Sequence, residues 1–497
     1  MTRPISRRAV LRGGLVAAGG AVLAACVPEA EPPAGEFVAP DGEQVRVAEA
    51  RRNPGQVREV RLSAVAGPVD LGGLTVATWS YGGTVPGTAI RVRAGEVLKA
   101  VVDNRLPADT SVHWHGVAMR NNADGVPGLT QPAIGAGTSY TYQFTVPHPG
   151  TYWFHPHTGV QLDRGLYAPL IVDDPAEPGR YDDEWIVVLD DWLDGVTGTP
   201  DEVLAELRQG MGGMHGGGMM SGGGHMMMGA TSSLLGGDAG DVRYPYFLLN
   251  GRVAAAPVTL TGRPGSRVRI RFVNAGADTA FRVALGGHEM VVTHSDGFAV
   301  QPTGTDALLI GMGERYDVQV TLGDGAFPLV ALAEGKGSAA FGLVRTGAGA
   351  APAAGVRPAE LDRRIVAYRQ LRPADGVGLA QRQPDRNLTL KLTGGMMAYD
   401  WGINGRPHDP RHFEPVRSGE RVRLDLVNTT MMWHPIHLHG HTFATERTGV
   451  RKDTIIVLPG QRVPVVFDAD NPGRWMLHCH NIYHAESGMM TQLGYLR

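Results

Sequence analysis

Three segments of the chain align with one another without gaps, and this internal repeat constrains the fold more than any other feature. Each segment has a glycine, an asparagine nine residues later, and a third landmark eighteen residues after the glycine. The glycines and asparagines are Gly95 with Asn104, Gly265 with Asn274, and Gly419 with Asn428. Apolar and polar residues alternate between them, which is the period-two pattern of a β-strand. The repeat therefore predicts three related β-sandwich units in an all-β chain.

A second repeated landmark separates the middle unit from the other two. Pro149-Gly150 is followed by histidines at offsets five and seven, and so is Pro472-Gly473, whereas Gly325 is followed there by aliphatic residues. The positions are His155 and His157, His478 and His480, and Val330 and Leu332. The first and third units therefore carry potential ligands that the second lacks.

Length and composition agree with three domains. At about 150 residues a domain, the 497 residues divide into predicted domains at 55–180, 181–355 and 356–497, with an Ala-, Gly- and Pro-rich linker at 347–358. The balance of 46 Lys and Arg against 49 Asp and Glu predicts no nucleic-acid partner, because a clustered basic face would be needed. Only two cysteines accompany 18 histidines and 18 methionines, which disfavours a disulfide scaffold and favours soft-metal chemistry.

The N-terminus has the features of an export signal. Arg7-Arg8 precedes an uncharged apolar run that is too short to span a bilayer. The arginine pair is similar to a twin-arginine signal, and Leu23-Ala-Ala-Cys resembles a bacterial lipobox. We predict a signal at 1–25, a lipid on Cys26 and a tether at 26–54 that holds the protein at the extracytoplasmic face of the membrane. The alternative is an ordinary signal with a coincidental cysteine, which leaves a periplasmic or secreted protein.

Ten histidines fall in four clusters, and their spacing distinguishes them from ordinary core or surface histidines. The clusters are His113/His115, His155/His157, His434/His437/His439 and His478/His480/His484. In a strand, residues i and i+2 point to one face, so each His-x-His pair presents two imidazoles together. Desolvation and charge repulsion oppose the burial of eight imidazoles at one interface without a metal. Because imidazole binds copper, zinc, iron and nickel, the pattern predicts a metal cluster between the first and third domains.

The last cluster indicates which metal is bound. Cys479 alternates with its two histidine neighbours along a strand, so its side chain points away from the face that they share. Together with more distant residues it forms a set of two imidazoles, one thiolate and one weak thioether. The set is His434, Cys479, His484 and Met489. It matches a blue-copper electron-transfer site, whereas zinc would leave the thioether unexplained.

The four histidine motifs resemble, in order, the copper motifs of the three-domain multicopper oxidases. They are His-Trp-His-Gly from His113, His-x-His from His155, His-Pro-x-His-x-His-Gly from His434 and His-Cys-His-x3-His-x4-Met from His478. The resemblance covers about residues 55–497 and is nearest to bacterial exported laccase-like and cuprous oxidases. It implies three consecutive cupredoxin-like Greek-key β-sandwich domains. It also implies four copper ions, with dioxygen reduced to two waters after four one-electron oxidations.

The resemblance assigns a role to each ligand position. It implies that type 1 copper is held by His434, Cys479, His484 and Met489, and type 2 copper by His113 and His437. It implies that the type 3 pair is held by His115, His155 and His480 on one side and by His157, His439 and His478 on the other. Electrons are then expected to pass from type 1 copper through Cys479 to the trinuclear site.

Proton supply is less closely defined by the sequence. Asp124 occupies the position where this family places a carboxylate near the trinuclear cluster, and we predict that it relays protons. The alternative is an ordinary Asp-Gly turn. A second family acid follows the last histidine ligand, but that position is Ala485 here, with Glu486 next, so the second relay acid is left open.

The electron donor is indicated by two features. A run of methionine, glycine and histidine at 210–229 has too few bulky side chains to be a core element. Its thioethers are soft ligands suited to Cu(I), and the alternative is an incidental insertion. Its methionines are Met211, Met214, Met219, Met220, Met226, Met227 and Met228. Asp453 resembles the acid that the family brings close to the type 1 histidine edge and is predicted to bind a cuprous ion or orient a phenol; a salt bridge to an arginine is the alternative.

Three functions are compatible with these residues. The first is a cuprous oxidase in envelope copper resistance, with laccase-type activity on small aromatic donors. The second is a dedicated laccase that oxidises phenols or aromatic amines. The third is a non-catalytic copper-binding envelope protein, which the complete ligand set disfavours, and oxidation of Mn(II) or Fe(II) stays open. Met489 at the axial position implies a lower type 1 potential than Leu or Phe would give, and so favours easily oxidised donors.

Overall fold

Strands dominate the computed structural model, which describes residues 37–177, 179–210 and 224–497. They form three successive pairs of sheets, one pair for each β-sandwich, and a small additional two-stranded sheet. The first sandwich contains the strands Val57–Asp70, Thr75–Tyr81, Ile90–Arg93, Val97–Arg105, His113–His115, Ser139–Thr145, Gly150–His155 and Ala168–Asp173. The second contains Asp183–Trp192, Tyr246–Leu249, Arg252–Val253, Thr259–Thr261, Arg267–Asn274, Phe281–Leu285, Met290–Ser295, Phe298–Thr305, Ala307–Ile310, Arg315–Thr321, Ala326–Ala333, Ala339–Arg345 and Ile365–Val366. The third contains Arg386–Thr393, Gly402–Ile403, Glu414–Val416, Arg421–Asn428, His434–Leu438, Phe443–Thr445, Arg451–Lys452, Thr454–Val457, Arg462–Asp468, Arg474–Cys479 and Met490–Tyr495.

The remaining regular elements are short. The two-stranded sheet pairs Thr231–Ser232 with Gly237–Asp238. Helices span Glu43–Ala50, Pro200–Leu207 and Ile482–Glu486, and 3-10 turns span Asn121–Ala123, Gln161–Arg164, Ala359–Asp362 and Tyr368–Gln370. The predicted all-β class is confirmed.

Each sandwich is built on the strand that the sequence repeat predicts. These strands are Val97–Arg105, Arg267–Asn274 and Arg421–Asn428. Each pairs in parallel with an earlier strand and antiparallel with a later one. The first shows the predicted alternation of buried and more exposed residues. The second is buried on both faces, because Arg269 and Arg271 pair with the buried Asp317.

The repeated asparagine closes the same loop in each sandwich. Asn104, Asn274 and Asn428 are buried, and each Nδ2 donates to one nearby and one distant backbone carbonyl. Each Oδ1 accepts a hydrogen bond from the amide two residues onward. An amide side chain supplies both the donors and the acceptor that these buried groups require. In the third sandwich the loop leads directly into His434.

The second sandwich extends past the predicted boundary at residue 355. The strand Ile365–Val366 pairs in parallel with Ala307–Ile310 and completes a sheet of this sandwich. The buried Leu361 packs there as well, in a cluster with Val330. The prediction that the third domain begins at 356 is therefore corrected, because the chain returns to the second sandwich after the Ala-, Gly- and Pro-rich stretch.

The described part of the predicted tether packs against the third sandwich. Phe37 forms a β-bridge with Leu496 and is buried. The helix Glu43–Ala50 follows and buries an apolar side chain. The prediction of a tether at 26–54 is therefore wrong from residue 37 onward, because these residues are held by backbone pairing and apolar burial.

The predicted signal and lipidation site, residues 1–25 and Cys26, lie outside the described residues. Among the helices of the described ranges, none has the length and apolar character needed to cross a membrane.

The aromatic core of the first sandwich orients the first histidine motif. Within the strand His113–His115, Trp114 is buried against Phe144 and Phe154, with ring centroids 5.4 and 5.1 Å away. Alternate residues of a strand face opposite sides. Packing of Trp114 into the core therefore fixes both histidines on the other face.

Candidate functional site

Two pairs of strands bring the histidine motifs of the first and third sandwiches together. His113 lies opposite His155 in antiparallel register, and His437 lies opposite His478. Eight histidines meet there, and we divide them into three groups by the ligand sets that the resemblance implies. The first triad is His157, His439 and His478; the second triad is His115, His155 and His480; the central pair is His113 and His437.

Ring distances are short within each group. The ring centroids are 5.0–5.1 Å apart in the first triad and 4.9–5.7 Å apart in the second. The rings of the central pair are 5.7 Å apart, and each stacks at 3.8 Å on a member of one triad. Each ring of the central pair is thus closer to a triad than to its partner, so ring distances do not by themselves separate the three groups, and the roles as ligands stay a prediction.

Several ring nitrogens among the eight histidines lack a hydrogen-bond partner in the described part of the chain. Five imidazoles have a buried ring nitrogen with no hydrogen-bond partner in the described part of the chain. They belong to His113, His115, His155, His437 and His480. Buried polar atoms are normally satisfied, so the unpaired nitrogens fit a group of metal ions.

The first triad makes the same point through two nitrogens that face each other. The Nε2 atoms of His439 and His478 are 3.1 Å apart. Both Nδ1 atoms already donate, from His478 to the Cys479 carbonyl at 2.8 Å and from His439 to Asp124 at 3.1 Å. Two Nε2 lone pairs therefore point at each other, which is unfavourable without a cation. Nitrogens that each lie about 2 Å from one ion are about 3.3 Å apart, so the spacing suits a shared metal.

Burial favours the neutral form of six of the eight imidazoles. Desolvation lowers the pKa of six of them well below the usual value, and neighbouring imidazoles lower the pKa further. The six are His115, His155, His157, His439, His478 and His480. Neutral imidazole is the form that binds a metal ion.

Asp124 lies where the resemblance places an acid. His439 Nδ1 donates to its carboxylate at 3.1 Å, and His113 Nδ1 donates to its backbone carbonyl at 2.9 Å. Gly125 lets the turn after Asp124 lie against the backbone that precedes His113, because a Cβ there would lie 1.9 Å from the Val112 carbonyl oxygen. Asp124 is fully buried and fixes the orientation of two predicted ligands. Its role as a proton relay stays a prediction.

The predicted substrate role of Asp453 is wrong, because its carboxylate is fully buried beside the eight histidines. Its Oδ1 accepts from His115 Nε2 at 3.1 Å, and its two oxygens accept from Arg315 at 2.7 and 2.6 Å. Burial raises the pKa of Asp453, but Arg315 and hydrogen bonds from His115 and His437 outweigh burial and hold the pKa well below its usual value. The salt bridge to an arginine is therefore the correct interpretation, and Asp453 is a second acid at the histidine cluster.

His434, Cys479 and His484 form a separate group inside the third sandwich. Cys479 Sγ lies 3.7 Å from Nδ1 of each histidine, and the two Nδ1 atoms are 3.1 Å apart. These separations suit one ion bound by two nitrogens at about 2.0 Å and a sulfur at about 2.3 Å. Burial raises the pKa of the Cys479 thiol, so a bound metal has to displace its proton. Met489 is also fully buried, and its carbonyl accepts from the Cys479 amide at 3.0 Å.

The outer nitrogens of this group are held by residues that sequence reasoning missed. His434 Nε2 donates to Thr430 Oγ1 at 2.8 Å, and His484 Nε2 donates to Asp241 Oδ2 at 2.8 Å. The Tyr399 hydroxyl donates to the same Asp241 oxygen at 2.9 Å. Asp241 lies 243 residues before His484, and no local motif marks it.

Cys479 connects its own group, with His434 and His484, to the eight histidines through its backbone. Its neighbour His478 belongs to the first triad, and its other neighbour, His480, belongs to the second triad. Cys479 faces the opposite side of the chain, as the alternation predicts. One peptide unit on each side of the thiol therefore leads to each triad.

The two described ends of the methionine-rich run lie beside Asp241 and beside Met397. The Met227 amide donates to the Asp241 carbonyl at 2.7 Å, and Met226 forms a β-bridge with the next residue. At the other end, a Cβ on Gly210 would lie 2.5 Å from the Met397 carbonyl oxygen. The described end of the run at Met226 and Met227 is therefore held beside Asp241. Met226 is buried in the hydrophobic core, so the prediction that the run is not a core element is wrong at this end. The predicted copper-capturing residues Met211, Met214, Met219 and Met220 lie outside the described residues.

Comparisons with known proteins match the same kind of protein along most of the chain. Three sequence profiles described as multicopper oxidase match residues 66–177, 183–348 and 381–495. A multicopper oxidase of Mycobacterium tuberculosis, MmcO, is 48% identical and aligns over 99% of this chain and 97% of its own length. A copper resistance protein A homolog of Pseudomonas syringae pv. tomato is 30% identical, over 89% and 94% of the two chains.

Solved structures of similar proteins share the fold. A laccase from Botrytis aclada has a TM-score of 0.73 and 26% identity, over 89% of this chain and 88% of that chain. This similarity confirms the predicted fold of cupredoxin-like sandwiches.

Proposed function

The chain belongs to the multicopper oxidase family, and from this premise we propose that it is a cuprous oxidase of the cell envelope. As a member of that family it is an oxidoreductase with a copper cofactor. The proposed reaction converts four Cu(I) ions, one dioxygen and four protons into four Cu(II) ions and two waters. Phenols and aromatic amines are proposed as additional donors.

We assign four copper ions to the two groups of side chains. One would be held by His434, Cys479, His484 and Met489, one by the central pair, and two by the triads. When bound, copper supplies the one-electron chemistry, with electrons taken up singly at the Cys479 group and used to reduce dioxygen at the eight histidines. The chain supplies the path between them, through the two peptide units that flank Cys479.

The observation that carries the proposed donor is the anchoring of the methionine-rich run beside Asp241. Thioethers are soft ligands that prefer Cu(I) to harder cations. The Asp241 carboxylate accepts hydrogen bonds from both His484 and Tyr399. The described end of the run, at Met226 and Met227, is therefore separated from His484 by one residue, Asp241.

Exposed methionines near the same group support this donor. The side chains of Met228, Met397 and Met431 are 60%, 62% and 84% exposed. Two of them are close in sequence to residues around the Cys479 group: Met431 follows Thr430, which bonds to His434, and Met397 lies two residues before Tyr399, which bonds to Asp241. Single exposed apolar side chains are common on protein surfaces, so these methionines support the donor through their soft thioether groups, which suit Cu(I).

Oxygen consumption by the full-length, copper-loaded enzyme tests the proposal. The enzyme is assayed with Cu(I) and with a phenol, and compared with a variant that carries serine at Met211, Met214, Met219 and Met220. We expect the Cu(I) rate to fall about tenfold or more and the phenol rate to stay unchanged. A matched control replaces Gly216, Gly217 and Gly218 with serine, which leaves the thioethers in place and should preserve both rates.

A laccase is the second candidate, favoured by the similarity to the Botrytis aclada laccase. If the serine variant keeps both rates, the run is an incidental insertion and the laccase function is preferred. If neither donor supports oxygen consumption, the protein is a non-catalytic copper-binding protein.

We also propose export by the twin-arginine route and lipid anchoring at Cys26. Mass spectrometry of the mature protein tests the anchor. A diacylglycerol-modified N-terminal cysteine is the expected result, and an unmodified Cys26 thiol or another N-terminus would contradict it.

A further inference from the structure

The second sandwich contributes no histidine to either metal group within the described ranges, yet it supplies the cation that holds Asp453. Arg315 begins the strand Arg315–Thr321 and is fully buried. Its Nη1 and Nη2 atoms donate to the two Asp453 oxygens at 2.7 and 2.6 Å. This planar two-point geometry is specific to a guanidinium.

Two other segments fix the Arg315 guanidinium. Its Nε donates to the Thr151 carbonyl at 3.0 Å, on the first-sandwich strand that ends at His155. Its Nη1 also donates to the Gly313 carbonyl at 3.0 Å. Gly116, the glycine of the His-Trp-His-Gly motif, leaves room for the pair, since a Cβ there would lie 2.5 Å from both Arg315 Nη2 and Asp453 Oδ2. One buried ion pair therefore joins all three sandwiches.

Asp453 and its neighbour Thr454 fix two imidazoles. Asp453 Oδ1 accepts from His115 Nε2 at 3.1 Å, and the Asp453 carbonyl accepts from His437 Nδ1 at 2.9 Å. Thr454 Oγ1 donates to Asp453 Oδ1 at 2.9 Å and lies 3.1 Å from each of the same ring nitrogens. In these two rings, the nitrogens without a partner in the described structure are His115 Nδ1 and His437 Nε2. The two rings thus present different nitrogens to the cluster.

We infer that Arg315 is a positioning residue of the trinuclear centre, which sets, through Asp453, the nitrogens that His115 and His437 present to copper. Without Arg315, Asp453 is a buried carboxylate that has lost its two-point partner, and His115 loses the fixed acceptor that orients its ring. Lysine keeps the charge but cannot bond both carboxylate oxygens and the Thr151 carbonyl at once. The inference rests on the proposed eight-histidine copper centre and not on the identity of the donor.

Copper content and spectra of Arg315→Lys and Arg315→Met test the inference. Full-length proteins are loaded with copper, and copper per chain is measured together with the type 2 EPR signal, the type 3 absorption and the type 1 absorption. Cys479 and its two histidines have no hydrogen bond to Arg315 in the described residues, so the type 1 signal reports a folded third sandwich. We expect both variants to keep the type 1 signal and to lose the type 2 and type 3 signals, with copper falling from about four ions per chain to about one.

Arg269→Met is the matched control. Arg269 lies in the same sandwich with a side chain only 3% exposed, and it pairs with Asp317 at 2.6 Å. It makes no hydrogen bond to a predicted copper ligand in the described chain, so this variant should lose stability while its copper signals are retained.

Each outcome decides the inference. Wild-type type 2 and type 3 signals in both Arg315 variants would overturn it. Loss of type 1 copper in the same proportion as the rest would also overturn it, because the ion pair would then support the fold as a whole. A wild-type enzyme without type 2 and type 3 signals would instead refute the proposed copper centre.

Discussion

Replacing Asn274 with alanine should destabilise the second sandwich and loosen the trinuclear centre. The buried Asn274 side chain donates to the Thr279 and Ile310 carbonyls at 2.9 and 3.0 Å and accepts from the Gly276 amide at 2.9 Å. A buried hydrogen bond contributes about 1 kcal/mol, so the three should lower the free energy of unfolding by about 3 kcal/mol. That corresponds to a fall in Tm of about 6–12 °C for a sandwich of this size.

The effect should reach the metal site because Asn274 also holds the turn that contacts it. The Gly313 amide donates to the Asn274 backbone carbonyl at 3.0 Å; alanine keeps this carbonyl, but the loop that positions it loses its side-chain hydrogen bonds. A Cβ on Gly313 would lie 3.0 Å from His115 Cε1, and Arg315 follows two residues later. We therefore expect the alanine variant to bind trinuclear copper less tightly, while the type 1 absorption is retained.

Calorimetry of the copper-free protein measures the stability effect. Asn274→Asp keeps the acceptor but turns a carboxylate oxygen toward two carbonyls, so it should destabilise at least as much as alanine. Asn387→Ala is the control, because Asn387 is exposed on a strand and its loss should change stability by less than about 0.5 kcal/mol. A Tm for Asn274→Ala that matches the Asn387 control would refute the proposed role of the repeated asparagine.

Three further results are expected. Asp124→Asn should slow oxygen reduction about 100-fold or more and alter its pH dependence while copper is retained; an unchanged pH profile would contradict the relay. Met489→Leu should raise the type 1 reduction potential in a redox titration, and a wild-type potential already among those of high-potential laccases would contradict the axial assignment. Burial, with Arg451 and Arg52 nearby, lowers the pKa of His148 from the usual 6.5 to about 4. The folded chain therefore binds fewer protons than the unfolded chain, so the contribution of His148 to stability is full above about pH 6.5 and is lost as the pH falls toward about 4. As the pH falls, Tm should decrease less in His148→Gln than in the wild type. Identical curves of Tm against pH for the two proteins would contradict this contribution of His148.

The histidines predicted as ligands could be brought together from the sequence because the geometry of each pair is set locally. His113 and His115 must share a face once Trp114 packs into the core, and Cys479 must face away from His478 and His480. The spacing of residues along a strand fixes these directions whatever the rest of the chain does. The same holds for the repeated glycine and asparagine, which act within their own sandwich.

The residues that orient these ligands could not be found in the same way. Asp453 follows a copper motif, and its position predicts a role on the donor side. In the structure it pairs with Arg315, 138 residues earlier, and contacts His115, 338 residues earlier. Asp241 comes twelve residues after the methionine-rich run in the sequence. Nothing local indicates that its carboxylate accepts a hydrogen bond from His484.

The pattern of residues along the chain predicts the class of fold, copper as the metal and which side chains share a face of each strand. Three-dimensional packing is needed to show which acid and which arginine orient those side chains, and where the described end of the methionine-rich run lies. The physical reason is that strand alternation is a property of neighbouring residues, whereas the contacts of Asp453, Arg315 and Asp241 depend on how separate sandwiches pack. That packing is fixed by the summed burial and hydrogen bonding of the whole chain, and no short motif encodes it.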